Sequence, residues 1–199
     1  WEGLSVDAAD VIIVVNVLMN YAETRRPEAI DILRGSLQEG GILVVADGNS
    51  HPGSGYTKIA YKVVEKDGSS TPHSIKEVTP LGARLAAYGR RISKPTDTFT
   101  FPGRLDPFFS RIIVPLLQKR FDAARPSKGV LNVVYFGLGA NGAPTFYDLE
   151  RILASSLPES QTLTLTGIDR DPEVIRLASQ PGLFDDETRK KINVRVVQG

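Results

Sequence analysis

The stretch Gly137-Leu138-Gly139-Ala140-Asn141-Gly142 has the spacing G-x-G-x-x-G, directly after a β-branched apolar run and just before a helical pattern. Glycines so spaced permit a tight turn and let a ligand approach the backbone. The helix that follows offers N–H donors and a positive dipole. The next strand, Thr162 to Ile168, ends at Asp169, a carboxylate placed to accept hydrogen bonds from ribose hydroxyls. In this order the features describe a site for a nucleoside-containing cofactor, held by Gly137, Gly139, Asn141, Gly142, Asp169 and the adjoining Arg170. The structural alternative is that the glycines only turn the chain and Asp169 caps the helix starting near Pro172. Asn16 closes the apolar strand Ala9 to Val15, at the edge where open α/β sheets bind ligands, and either joins the site or caps the next turn. His51, in a loop of turn-forming residues, is the better of two histidines as a general base, and His73 the weaker.

The elements that must position these residues read as strands alternating with helices. Strand Ala9–Val15 is followed by a helix from Arg26 to Gln38 with Pro27 in its first turn, a stop at Glu39-Gly40-Gly41, and a strand Ile42–Ala46 ending at Asp47. Residues 47–55 form a loop and Thr57 to Glu65 a strand, whereas residues 66–78 read as a polar connector. A helix is expected over Leu81–Arg91, an extended connector over Ser93–Gly103, and a longer helix over Asp106–Ala124 with Pro115 as a kink. The last third is regular: strand Leu131–Phe136, helix Thr145–Leu157, strand Thr162–Ile168, helix Pro172–Ser179, a short helix near Asp185–Lys190, and strand Asn193–Val197. The alternation predicts one α/β domain with a mainly parallel twisted sheet and helices on both faces. It divides into residues 1–65 as one half of the sheet, 66–128 as connector and substrate-facing elaboration, and 129–199 as the Gly-rich half.

Composition sets the outer limits. The 24 basic and 23 acidic residues among 199 nearly cancel, so there is no excess charge for a phosphate-driven nucleic-acid binder. With no cysteine and two histidines, disulfides, thiolate zinc sites and cysteine nucleophiles are excluded by inventory, and no other metal site is expected. The longest apolar runs are far shorter than the roughly 20 residues needed to cross a bilayer, and no signal-peptide pattern opens the sequence. These features lead us to expect a cytoplasmic protein.

Two further stretches separate the cofactor classes. Gly167-Ile168-Asp169-Arg170-Asp171-Pro172-Glu173-Val174-Ile175-Arg176-Leu177-Ala178 resembles the second-strand signature of class I, Rossmann-like S-adenosylmethionine-dependent methyltransferases. Asp10-Val11-Ile12-Ile13-Val14-Val15-Asn16-Val17-Leu18-Met19-Asn20-Tyr21 resembles their fourth-strand signature, followed by the L-x-x-G-G-x-L segment Leu37 to Leu43. Within that class the chain is most similar to chemoreceptor glutamate methyltransferases, although Ala143-Pro144 stands where that family has an acidic pair, so the acceptor is not carried over.

The resemblance implies S-adenosylmethionine as cofactor and methyl transfer to an oxygen or nitrogen of a small-molecule or protein acceptor. Asn16, by its place at the strand tip, is then a candidate to bond the methionine part or the acceptor, and Tyr21, Phe146 and Tyr147 either form an aromatic wall near the cationic sulfonium or pack in the core. Tyr21 and His51 are then the catalytic candidates. The order of signatures is displaced: the fourth-strand segment opens this chain and the first strand begins near residue 131. Reading Gly199 into Trp1 restores the family's order, which describes a circular permutation. A nicotinamide-dependent oxidoreductase and a non-catalytic domain of the same fold are the alternatives.

Overall fold

A computed structural model describes residues 8–49, 56–78, 105–124, 130–139, 144–158, 161–179 and 190–199. The strands are β1 (Ala9–Val15), β2 (Leu37–Asn49), β3 (Tyr56–Glu65), β4 (Ser70–Val78), β5 (Val130–Phe136), β6 (Thr162–Asp169) and β7 (Ile192–Gln198). They form one sheet in the order β4-β3-β2-β1-β5-β6-β7. The five strands from β2 to β7 in that order are mutually parallel, while β3 and β4 extend the sheet antiparallel beyond β2.

β1 lies at the centre and every residue in it is buried, which is why it reads as an unbroken apolar run rather than an alternating one. Its two faces open two cores. Val11, Ile13 and Val15, with Val133 and Tyr135 of β5, lie under α2 (Asp106–Ala124), α3 (Pro144–Ser156) and α4 (Pro172–Ala178). Ile12 and Val14, with Val134 and Phe136, lie under Leu18 and under Ala29 and Leu33 of α1 (Arg26–Gly35). The sheet therefore carries helices on both faces, as expected.

Helix α2 has three consecutive pieces: an α-turn Asp106–Phe108, a π-helical segment Phe109–Ile113 and an α-helix Val114–Ala124. The wide turn falls just before Pro115, which has no N–H to offer and whose ring would crowd the carbonyl one turn back. It keeps Phe108, Phe109, Ile113, Leu117 and Phe121 directed into the first core.

Several boundaries differ from the expectation, among them the end of β2, which runs through Gly48 and Asn49, read as loop, because these residues pair with Ile59 and Lys58 of β3. Helix α1 ends at Gly35 rather than Gln38, because Lys66, from the β3–β4 turn, donates to the carbonyls of Arg34, Gly35 and Leu37 and closes the helix there. β2 begins at Leu37 and passes through the Glu39-Gly40-Gly41 stop. Gly40 has φ +66°, and a Cβ on Gly41 would meet the Ala9 and Gln38 carbonyl oxygens at 2.9 Å. Residues 70–78, read as connector, are a strand. β4 is a sheet edge whose residues 70–74 are exposed, so it carries no apolar pattern and tolerates Pro72. The helices expected over 81–91 and near 185–190 and the connector 93–103 lie outside the described residues, apart from a last helical residue pair at 190–191. Among the described residues, no helix is long and apolar enough to cross a membrane.

Candidate functional site

The register of the parallel strands brings their carboxyl ends to one level: Val15 pairs with Ala46, Val14 with Phe136, Phe136 with Ile168 and Asp169 with Gln198. The residues that follow these pairs, Asn16, Gly137 and Asp169 among them, therefore lie along one edge of the sheet. Between β5 and β1 the chain connections diverge: α3 leaves β5 on one face and α1 follows β1 on the other. Such a divergence opens a crevice at the carboxyl edge.

The Gly-rich turn is built into that crevice by its backbone. Gly137 has φ +79° and Gly139 φ +83°, both in the left-handed region that favours glycine. The Gly137 N–H donates to the Ile168 carbonyl at 2.9 Å, and a Cβ on Gly137 would overlap the Val17 γ-methyl. The tips of β5 and β1 are thus pressed together at a single hydrogen-for-methyl position. Beneath the turn, Gly167 of β6 leaves room for Leu138 and Phe146, whose atoms would lie 2.7 and 2.8 Å from a Cβ there.

Asp169 is half-buried beside this turn. Its Oδ2 accepts the Gly139 N–H at 3.4 Å and its Oδ1 the Asp171 N–H at 3.0 Å. Helix α4 is capped not by Asp169 but by Asp171, whose Oδ1 accepts the Glu173 N–H at 2.9 Å. The structural alternative for Asp169 therefore does not hold. Each carboxylate oxygen keeps a further lone pair for a ligand hydroxyl. Arg170 is exposed on the same loop.

Asn16 is the one non-glycine residue with positive φ among the described residues, at 58°. Its N–H donates to Ala46 O at 2.9 Å and its own carbonyl accepts from Asn20 Nδ2 at 3.2 Å. A left-handed asparagine at a strand tip is locally costly and recurs where a site needs the backbone turned. Asp47, which follows Ala46 at the end of the parallel part of β2, was not singled out from the sequence. Desolvation raises its pKa, and the nearby Arg26 and Lys62 only partly offset that.

The aromatic candidates and the second histidine have contacts of their own. Tyr21 is half-buried against the α1 core, and its carbonyl accepts from Arg26 Nε at 3.2 Å. Phe146 is fully buried and Tyr147 ties α3 to α4 through Leu177 O, so these two rings serve packing rather than an open wall. His73 stacks on Tyr61, ring centroids 5.0 Å apart, on the β4 side of the sheet. His51, Asn141 and Gly142 lie outside the described residues. Among the described residues, no three His, Asp or Glu side chains group as metal ligands. No family model, curated protein or solved structure matches this chain.

Proposed function

We propose that this chain is an S-adenosylmethionine-dependent methyltransferase with a Rossmann-like fold in circularly permuted order. The observation that carries the reading is the crevice in which the Gly137–Gly139 turn, the Asn16–Val17 tip and the Asp169 carboxylate meet at the carboxyl edge. Numbered from the Gly-rich strand, β5, β6, β7, β1 and β2 take positions 1 to 5, and the sheet order becomes 3-2-1-4-5, the doubly wound order. The switch point then falls between β5 and β1, where that fold binds ligands.

The residues present fit the cofactor. Two left-handed glycines expose backbone without side chains, Asp169 has acceptor capacity for ribose hydroxyls, and Asn16 faces the same edge for the methionine portion or the acceptor. The Gly139 N–H points to Asp169, so it is not presented to a pyrophosphate, which favours this cofactor over a dinucleotide. S-adenosylmethionine, when bound, supplies an already activated methyl group. The chain's part is to hold an oxygen or nitrogen nucleophile in line with that methyl and to exclude water. The acceptor belongs to a small molecule or a protein, His51 and Tyr21 remain the candidates for assisting it, and the cytoplasm is the proposed compartment.

Two neighbouring aspartates test the site. Asp169→Ala should weaken S-adenosylhomocysteine binding about 10- to 100-fold, the worth of hydrogen bonds to a charged group at about 1.5–3 kcal/mol. Asp171→Ala should cost about 1 kcal/mol of stability through its lost helix cap, yet leave affinity nearly unchanged. Equal affinity in the two variants, measured calorimetrically with circular dichroism as the fold check, would contradict the assignment of Asp169.

A further inference from the structure

Asp47 is an acidic side chain at the carboxyl edge that the cofactor assignment leaves unused. It follows Ala46, whose carbonyl accepts the Asn16 N–H, so it stands beside the left-handed tip of β1, on the side away from Gly137 and Asp169. Pairing of Ala46 with Tyr61 and of Gly48 with Ile59 fixes the backbone on both sides of it. Two residues beyond Val45, Asp47 shares the α1 face of the sheet. Lys62 pairs with Val45 and is therefore its diagonal neighbour across β3, at roughly 7–8 Å between backbones. Arg26, at the start of α1, also acts on its charge but is itself tied through Nε to the Tyr21 carbonyl. Asp47 is exposed, and among the described residues no donor is hydrogen-bonded to its carboxylate. The protein around it nevertheless desolvates that carboxylate enough to outweigh both cations and raise its pKa, which a freely solvated surface aspartate does not show.

With a cofactor held at the tips of β5 and β6 by Gly137 and Asp169, the tips of β1 and β2 are the part of the crevice left to the methyl acceptor. We propose, resting on that reading of the site, that Asp47 is an acceptor-binding residue and that the acceptor is an amine, whose nitrogen donates to the Asp47 carboxylate beside Asn16. The chemistry separates three classes of nucleophile. A carboxylate acceptor would meet Asp47 as a like charge. An alcohol has to lose its proton to become a good nucleophile, and a carboxylate is too weak a base to take it. An amine carries its own lone pair when neutral and asks only for an acceptor of its N–H, and when protonated it complements Asp47 in charge. Lys62, a cation on the same face, tempers that attraction.

Sinefungin tests this without knowledge of the acceptor, because it carries a primary amine where S-adenosylmethionine carries its methyl, a position empty in S-adenosylhomocysteine. In calorimetric titrations of the full chain, Asp47→Asn should weaken sinefungin binding about 10-fold or more, the worth of a hydrogen bond to a charged group. Binding of S-adenosylhomocysteine and the circular dichroism of the variant should stay as in the native chain. Lys62→Gln, which removes the opposing cation, should move the ratio of the two affinities the other way. A ratio that Asp47→Asn leaves unchanged overturns the proposal, since a merely structural role of Asp47 would weaken both ligands alike. So does a native chain that binds S-adenosylhomocysteine but not sinefungin. A native chain that binds neither overturns the cofactor reading itself, and the proposal with it.

Discussion

At the scale of single residues, the contact between Gly137 and Val17 carries the most consequence, because it joins two strand tips that are far apart in sequence. Gly137→Ala places a side chain on a backbone at φ +79° and into the Val17 γ-methyl at once. It should destabilise by about 1–3 kcal/mol, the range of overpacking, and Val17→Ala in the same chain should recover part of that loss in denaturant titrations. The glycine spacing made residue 137 legible from the sequence. Val17 and Gly167 were not, since their importance lies in what a missing or present methyl touches across the fold: Gly167 matters because Leu138 and Phe146 fill the space above it. Asp47 was hidden for a similar reason. Only the sheet register sets it beside the Asn16 tip, and its raised pKa comes from desolvation in that setting.

At the scale of elements, two buried polar connections hold helices to the sheet. Asp10 of β1 is fully buried, accepts the Asn132 N–H at 2.9 Å and pairs with Arg120 of α2 at 3.5 Å. The same guanidinium donates to Glu39 O at 2.9 Å, in space left by Gly40. Removing the cation leaves a buried carboxylate short of charge compensation, so Arg120→Met should cost about 3–5 kcal/mol in unfolding free energy. Tyr135 of β5 is buried against Thr145 of α3, and desolvation pushes its pKa up to about 12. An unfolded tyrosine ionises near pH 10. Stability is therefore whole below that pH and falls as pH rises from about 10 to 12, where the unfolded chain sheds a proton that the folded chain keeps. The loss attributable to Tyr135 approaches about 3 kcal/mol, and Tyr135→Phe should make the alkaline limb shallower. It should not abolish the limb, because burial also raises the pKa of Tyr61 and Tyr147.

The elements legible from sequence were those whose burial is complete or one-sided. β1 and the core of β2 read as apolar runs, and α1 and α3 as amphipathic helices. β4 left no such trace because an edge strand exposed at residues 70–74 needs no apolar period. The π-helical turn at Phe109–Ile113 keeps the same apolar residues as an α-helix would, so only Pro115 hinted at a disturbance.

At the scale of the whole molecule, the parallel strands, the divergence between β5 and β1 and the residues at their tips converge on one edge. Strand alternation foretold the sheet class, but the neighbour order β7-β6-β5-β1-β2 came only from pairing. That order is what makes the permuted reading economical: β1 lies beside β5 although about 120 residues separate Asp10 from Asn132 in sequence. The central claim is the cofactor, and it is tested most directly by calorimetric titration of the full chain with S-adenosylhomocysteine and, separately, with NAD. The account predicts saturable binding of S-adenosylhomocysteine and none of NAD; binding of NAD alone would contradict it.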